Sequence, residues 1–189
     1  MKNIAIFASG SGTNAENLIQ FFRTSAEAKV VLVLSNRSDA YVLERALSLH
    51  VESVVFTREQ FYKTREILSL LRSKSIDYVV LAGFLWLVPD YLLEAYQGKV
   101  INIHPALLPK YGGKGMYGKH VHEAVIKSGD SVSGITIHHV NQRYDEGDVI
   151  FQARCDVEPG DTPEMLAQKV HKLEYVHFPK VVEGLLKQL

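Results

Sequence analysis

Three short stretches of this 189-residue chain hold residue types at spacings that could do chemistry. The first is Asn102-Ile103-His104-Pro105, which ends a β-branched apolar run. In extended backbone, residues i and i+2 point to the same side, so Asn102 and His104 share a face while Ile103 turns into the core. Histidine titrates near neutral pH, and an amide N–H beside it can donate to an oxyanion forming on a carbonyl. The pair suits addition of a nucleophile to a carbonyl group with His104 handling a proton. A buried, mutually satisfied Asn/His pair is the competing reading.

The second stretch is the acidic turn Tyr144-Asp145-Glu146-Gly147-Asp148. A carboxylate here could reach a histidine at the top of a neighbouring strand and stabilise its charged form. Solvated hairpin ends have the same composition. His138 and His139 alternate faces, so at most one of them joins such a site. No metal-ligand spacing links these histidines to an acid, and no metal is expected. The third stretch is Ser9-Gly10-Ser11-Gly12-Thr13-Asn14, between an apolar run and a helical pattern. Free backbone N–H groups and the helix dipole favour a phosphate there. It is not a dinucleotide fingerprint, because Ala15 stands where a third Gly would fall, and the Gly-Lys-Ser/Thr of a P-loop is absent.

The elements that must position these groups read as an α/β chain. Strand-like runs at 4–8, 30–34, 54–56, 78–82 and 100–103 alternate with helical patterns at 14–23, 40–49 and 67–71. That is the order of parallel strands joined by crossover helices. Residues 109–119, with Gly112, Gly113, Gly115 and Gly118, lack periodicity and form a long loop suited to a ligand. Residues 134–140 and 149–157 flank the acidic turn and should pair antiparallel, giving a mixed sheet. Thr162-Pro163-Glu164 starts a helix with a capping hydroxyl and an early acid. Val170 and Leu173 supply its buried face, and Pro179 should break or kink it, leaving 181–189 as a short terminal piece.

Composition narrows the partners. Apolar residues make up 47% and charged residues 22%, with 21 Lys+Arg against 21 Asp+Glu. This is ordinary globular composition without the basic excess that attracts nucleic acid, so a small ligand caught by a local site is expected. The single Cys155 cannot form an internal disulfide and reads as a small packed hydrophobe. The longest apolar run, 78–88, falls short of the ~18 residues that span a bilayer. Only 4–8 is apolar before the first glycine loop, too brief for the roughly 7- to 15-residue core of a signal peptide, so a cytoplasmic location is expected. The length suits one domain over residues 1–189.

Five ordered motifs together resemble the phosphoribosylglycinamide formyltransferase family of folate-dependent enzymes. They are Ser9 through Asn14, Ser35-Asn36-Arg37-Ser38-Asp39-Ala40 with Leu43-Glu44-Arg45-Ala46, Leu81-Ala82-Gly83-Phe84, Asn102 through Tyr111, and Asp145-x-Gly147. The resemblance implies a Rossmann-like formyltransferase fold with a mostly parallel central sheet, late antiparallel strands and helices on both faces. It implies formyl transfer from 10-formyltetrahydrofolate to the amine of glycinamide ribonucleotide in purine synthesis, by a monomer or weak homodimer. By resemblance the catalytic trio is Asn102, His104 and Asp145. The ribonucleotide phosphate falls to Gly12, Thr13 and Asn14, and the glycinamide-contacting acid is Glu174. Folate contacts fall to Asn102, to the wall Leu85, Trp86, Leu87 and Val88, and to Arg58.

Three features depart from the family pattern: Trp86 replaces a basic residue facing the folate, the loop after Tyr111 is longer and richer in glycine, and Asp148 adds an acid beside the catalytic turn. Trp86 is expected to pack its ring against the folate, with plain core packing as the alternative. Methionyl-tRNA and sugar-nucleotide formyltransferases and formyltetrahydrofolate hydrolase share the trio and the fold, but carry a further domain. A nicotinamide oxidoreductase, resting on the glycine loop and Asp39, and a non-catalytic nucleotide-binding module are readings from other classes. The missing third Gly counts against the oxidoreductase.

Overall fold

The β-branched runs become seven strands in the computed structural model, which describes residues 1–188; Leu189, the end of the expected terminal piece, lies outside them. The strands are β1 (Lys2–Phe7), β2 (Ala28–Ser35), β3 (Glu52–Val55), β4 (Tyr78–Ala82), β5 (Val100–His104), β6 (Val132–His139) and β7 (Val149–Asp156). They form one sheet in the order β3-β2-β1-β4-β5-β6-β7. The first five run parallel to one another, whereas β6 is antiparallel to β5 and β7 to β6. Chain order reverses between adjacent β1 and β4, so the crevice of an open α/β sheet falls above their carboxyl ends.

Burial on both faces follows from period-2 alternation in the central strands. Ile4 and Ile6 of β1 enter one apolar layer, under α1 (Thr13–Phe22), α2 (Val42–Ser48) and α7 (Pro163–Leu186). Ala5 and Phe7 enter the opposite layer, under α3 (Arg58–Tyr62), α4 (Glu66–Ser73) and α5 (Asp90–Ala95). Each such fully buried large side chain stabilises the fold by roughly 1.5–3 kcal/mol. Cys155 is only partly buried against the first layer. None of the helices described is long and apolar enough to cross a membrane.

Three helices lie where no helix is anticipated above: α3, α5 and α6 (Lys119–Ser128). The signal for α3 is a capping box, in which the Thr57 hydroxyl accepts from Gln60 N and the Gln60 side chain accepts from Thr57 N. In α6, Val121 and Val125 are buried at helical spacing, but the glycine-rich approach hides the start. The expected break at Pro179 does not occur, and α7 runs unbroken to Leu186. Proline offers no N–H to the carbonyl four residues earlier, that of Tyr175. Asn17 Nδ2 of α1 donates to that carbonyl at 3.1 Å, so the helix continues with its freed acceptor satisfied from a neighbour.

Candidate active site

The loops at the carboxyl ends of β1, β2 and β4 are tied into one rim. Ser9 N donates to Gly83 O at 3.0 Å, Ser9 Oγ donates to Asn36 Oδ1 at 2.6 Å, and Leu85 N donates to Ser9 Oγ at 3.0 Å. Gly12 caps α1 with φ +75°, and a Cβ there would lie 2.4 Å from Val42 Cγ2. Only glycine combines that left-handed turn with so close an approach of α2. No side chain caps α1, so the N–H groups of its first turn, which have no partners within the helix, are available to an anion.

Asn102 and His104 sit on β5 beside β6, where the register sets Asn102 opposite His138. His138 Nδ1 lies 2.8 Å from His139 O. A carbonyl only accepts, so Nδ1 carries the proton and Nε2 accepts from Asn102 Nδ2 at 3.1 Å. His104 Nε2 lies 2.7 Å from Tyr111 O and by the same argument is the protonated nitrogen. Its Nδ1 then faces Asp145 Oδ2 at 3.5 Å. Asp145 Oδ2 also accepts from Gly113 N at 2.9 Å, and its Oδ1 is 3.4 Å from Asn102 Nδ2 and 3.5 Å from His138 Nε2.

These side chains are nearly water-free: 4% exposed for His104, 3% for His138 and 12% for Asp145. Burial holds the His104 pKa below its ordinary 6.5, although the Asp145 charge and the Tyr111 carbonyl oppose it. The resting ring is therefore neutral at pH 7. Burial pushes the Asp145 carboxyl upward, but the neighbouring His138 and His104 rings and the Gly113 N–H together leave it below the usual carboxylate range. The carboxylate is poised as an ionised acceptor beside a neutral imidazole. Asp145 occupies φ +57°, and Gly147 behind it has no room for a side chain, since a Cβ would sit 1.7 Å from His139 O. Asp148 is exposed, and its backbone oxygen accepts from His139 N.

One cavity of about 790 Å³ joins these groups to the α1 loop. Gly12, Thr13, Asn14, Leu85, Asn102, His104, Asp145 and Glu174 line it; Arg58, Trp86, Leu87 and Val88 do not. The Trp86 ring instead meets Phe56, Phe61, Tyr62 and Phe84, with the Arg58 guanidinium 5.5 Å from its centroid. Val88 is buried in the adjoining apolar layer, and Leu87 O accepts from Tyr62 Oη at 2.8 Å. Of residues 85–88, Val88 is therefore core, whereas Leu85, Trp86 and Leu87 are half-buried.

Also in the cavity lining, Glu174 Oε2 accepts from Asn14 Nδ2 at 3.0 Å and from His171 Nδ1 at 2.8 Å. Asn14 Oδ1 and His122 Nδ1 are buried without partners. His122 and His171 were not singled out from sequence, and Tyr111 and Gly113 entered only as members of a motif and a loop. His122 and His171 stand on helices whose facing is fixed only by packing, and Tyr111 and Gly113 act through backbone atoms, which residue type does not reveal. No group of three or more His, Cys, Asp or Glu placed to hold a metal occurs among the described residues.

Residues 2–182 match the family model described as formyl transferase. A phosphoribosylglycinamide formyltransferase of Bacillus subtilis is 35% identical, over 98% of this chain and 95% of its own length. The chloroplastic phosphoribosylglycinamide formyltransferase of Arabidopsis thaliana is 38% identical over 99% of this chain, which spans 66% of that longer relative. The crystal structure of phosphoribosylglycinamide formyltransferase from Anaplasma phagocytophilum superposes with a TM-score of 0.89 at 33% identity, covering 98% of this chain and 87% of that one.

Proposed function

This chain belongs to the formyl transferase family, and from that membership we propose that it moves the formyl group of 10-formyltetrahydrofolate to the primary amine of glycinamide ribonucleotide in purine biosynthesis. The observation that carries the reading is the single cavity shared by the uncapped start of α1 and the Asn102/His104/Asp145 cluster. A phosphate at one end and a carbonyl-addition site at the other fit a small phosphorylated amine. Asn14 Oδ1 and His122 Nδ1, buried and unpartnered, fit a polar ligand that brings its own hydrogen-bonding groups.

The residues divide the work as follows. Asn102 exchanges its long 3.4 Å contact with Asp145 for the formyl oxygen. His104 turns Nδ1 to the same oxygen, because Tyr111 O occupies Nε2–H. Negative charge growing on that oxygen raises the pKa of the neutral ring, so His104 takes a proton from water at Nδ1 as the tetrahedral adduct forms and returns it as the adduct collapses. Asp145 takes the proton that the amine loses and passes it, directly or through water, to the departing donor nitrogen. One C–N bond forms at the amine, one breaks at the donor, and the proton balance closes. Glu174 orients the glycinamide end. A carboxylate beside the amine favours the ammonium form, which binds but cannot attack, so deprotonation falls to Asp145. Leu85 borders the donor's side of the cavity.

Incubation of purified protein with both substrates, followed by separation of the products, tests this directly. Formylated ribonucleotide appearing in step with tetrahydrofolate is the expected result. Formate released without formylated ribonucleotide would replace transfer by hydrolysis.

A further inference from the structure

We propose that Tyr111 is a positioning residue for the transfer: its side chain, tied to the end of α6, holds the backbone carbonyl that fixes the orientation and tautomer of His104. This rests on the reading of His104 as the group whose Nδ1, once protonated, donates to the formyl oxygen.

Tyr111 has φ +56°, a left-handed conformation that residues with side chains rarely adopt. Such a residue persists where its surroundings over-determine it. Here its hydroxyl donates to Asp130 Oδ2 at 2.7 Å and lies 2.5 Å from Ser128 Oγ. Lys110 Nζ donates to the same Asp130 oxygen at 2.9 Å. The Tyr111 hydroxyl bond, with Lys110, keeps the Asp130 carboxyl below its ordinary range, so the acceptor stays ionised at neutral pH. Ser128 is in turn held by its own bond to Val125 O at 2.7 Å. The ring is thus pinned to the carboxyl end of a helix, and the backbone on its other side is pinned to the catalytic groups.

Segment 111–113 touches both of those groups. Tyr111 O meets His104 Nε2 at 2.7 Å, and Gly113 N donates to Asp145 Oδ2 at 2.9 Å. Between them, a Cβ on Gly112 would lie 2.5 Å from Leu108 Cδ2 and 3.3 Å from Asp145 Cβ, so the segment packs directly on the carboxylate residue. The ionisable groups around His104 are Asp145, Glu174, His138 and His122. Asp145 lies on the Nδ1 side, and Tyr111 O is the acceptor found at Nε2. If the carbonyl moves, a buried Nε2–H loses its partner, and the ring is free to place its proton on Nδ1 toward Asp145. In that tautomer Nδ1 already holds a proton turned toward Asp145, and the nitrogen left to take one up is Nε2, away from the formyl oxygen.

Tyr111→Phe keeps the ring and removes the hydroxyl. It should lower kcat about 10- to 100-fold, the scale of a small misplacement of a reacting group, with the ribonucleotide KM within about twofold. Asp130→Ala should do the same, and Asp130→Asn, which retains an acceptor oxygen, should recover most of the loss. Nitrogen-15 NMR of the unliganded protein should show His104 as the Nε2–H tautomer in the wild type and a mixed or reversed tautomer in Tyr111→Phe. An unchanged tautomer in Tyr111→Phe overturns the proposal, as does a kcat loss matched by an equal rise in KM. The NMR measurement needs no turnover, so it judges the clamp even where the transfer assay fails.

Discussion

Asn14 Nδ2 and Glu174 Oε2 lie 3.0 Å apart across 160 residues of chain, joining the anion loop after β1 to the middle of α7. Glu174 is 4% exposed and takes a second bond from His171. A side chain so buried and held by two bonds is a rigid part of the cavity wall, and the proposed function sets it against the ribonucleotide. Glu174→Gln should therefore raise the ribonucleotide KM by roughly 10- to 100-fold, the value of one or two hydrogen bonds to a charged group, while kcat changes less than about tenfold. Steady-state kinetics with the ribonucleotide varied decide it. A collapse of kcat at unchanged KM would move Glu174 into the chemistry.

Asp145 is buried against His104 and His138, whereas Asp148 is exposed. Asp145→Asn should cut turnover at least about 10²-fold with ribonucleotide affinity nearly intact, because the amine's proton then has no ionised acceptor. Asp148→Asn should cost less than about tenfold. Calorimetric binding beside turnover separates the two effects, and an exchange of behaviour between the variants would assign the carboxylate role to Asp148.

The bond to Glu174 raises the His171 pKa above its ordinary 6.5 despite partial burial. A raised folded-state value means that the folded chain holds this proton more tightly than the unfolded chain. The stabilisation is complete below the unfolded value of 6.5 and is lost as pH rises through the higher folded value. His171→Gln should consequently be less stable than wild type in urea at pH 5.5, and the gap should narrow by pH 9. A gap of equal size at both pH values would show that packing and not protonation underlies it.

Trp86 belongs to an aromatic cluster outside the cavity lining, with Arg58 over its face. Trp86→Leu should lower stability by about 1–2 kcal/mol, from lost aromatic packing and cation–π contact in a half-buried setting. The donor KM should stay within about threefold, because Phe84 and Leu85 stand at the cavity and the ring does not. Paired denaturation and kinetics test this, and a large rise in donor KM at unchanged stability would restore direct stacking of the ring on the folate.

The α/β order, the antiparallel end of the sheet and the placing of Asn102 and His104 together near a strand end were legible in residue order, because period-2 and period-3.6 patterns and strand-end placement are local properties. The glycine loop after β1 was legible for the same reason: Gly12 and its neighbours encode a turn into a helix. Several decisions required the fold. That His138 and not His139 meets Asn102 depends on the β5–β6 register, which cross-strand hydrogen bonds set. That Asp145 and not Asp148 faces His104 depends on a left-handed turn wedged against the His139 carbonyl at Gly147. Pro179 stays within α7 because Asn17, on another helix, satisfies the carbonyl it frees. Trp86 faces the aromatic cluster because Phe56, Phe61 and Phe84 from three separate segments converge there. The His104 tautomer is set by the Tyr111 carbonyl, a group every residue carries, so only the folded backbone path distinguishes it.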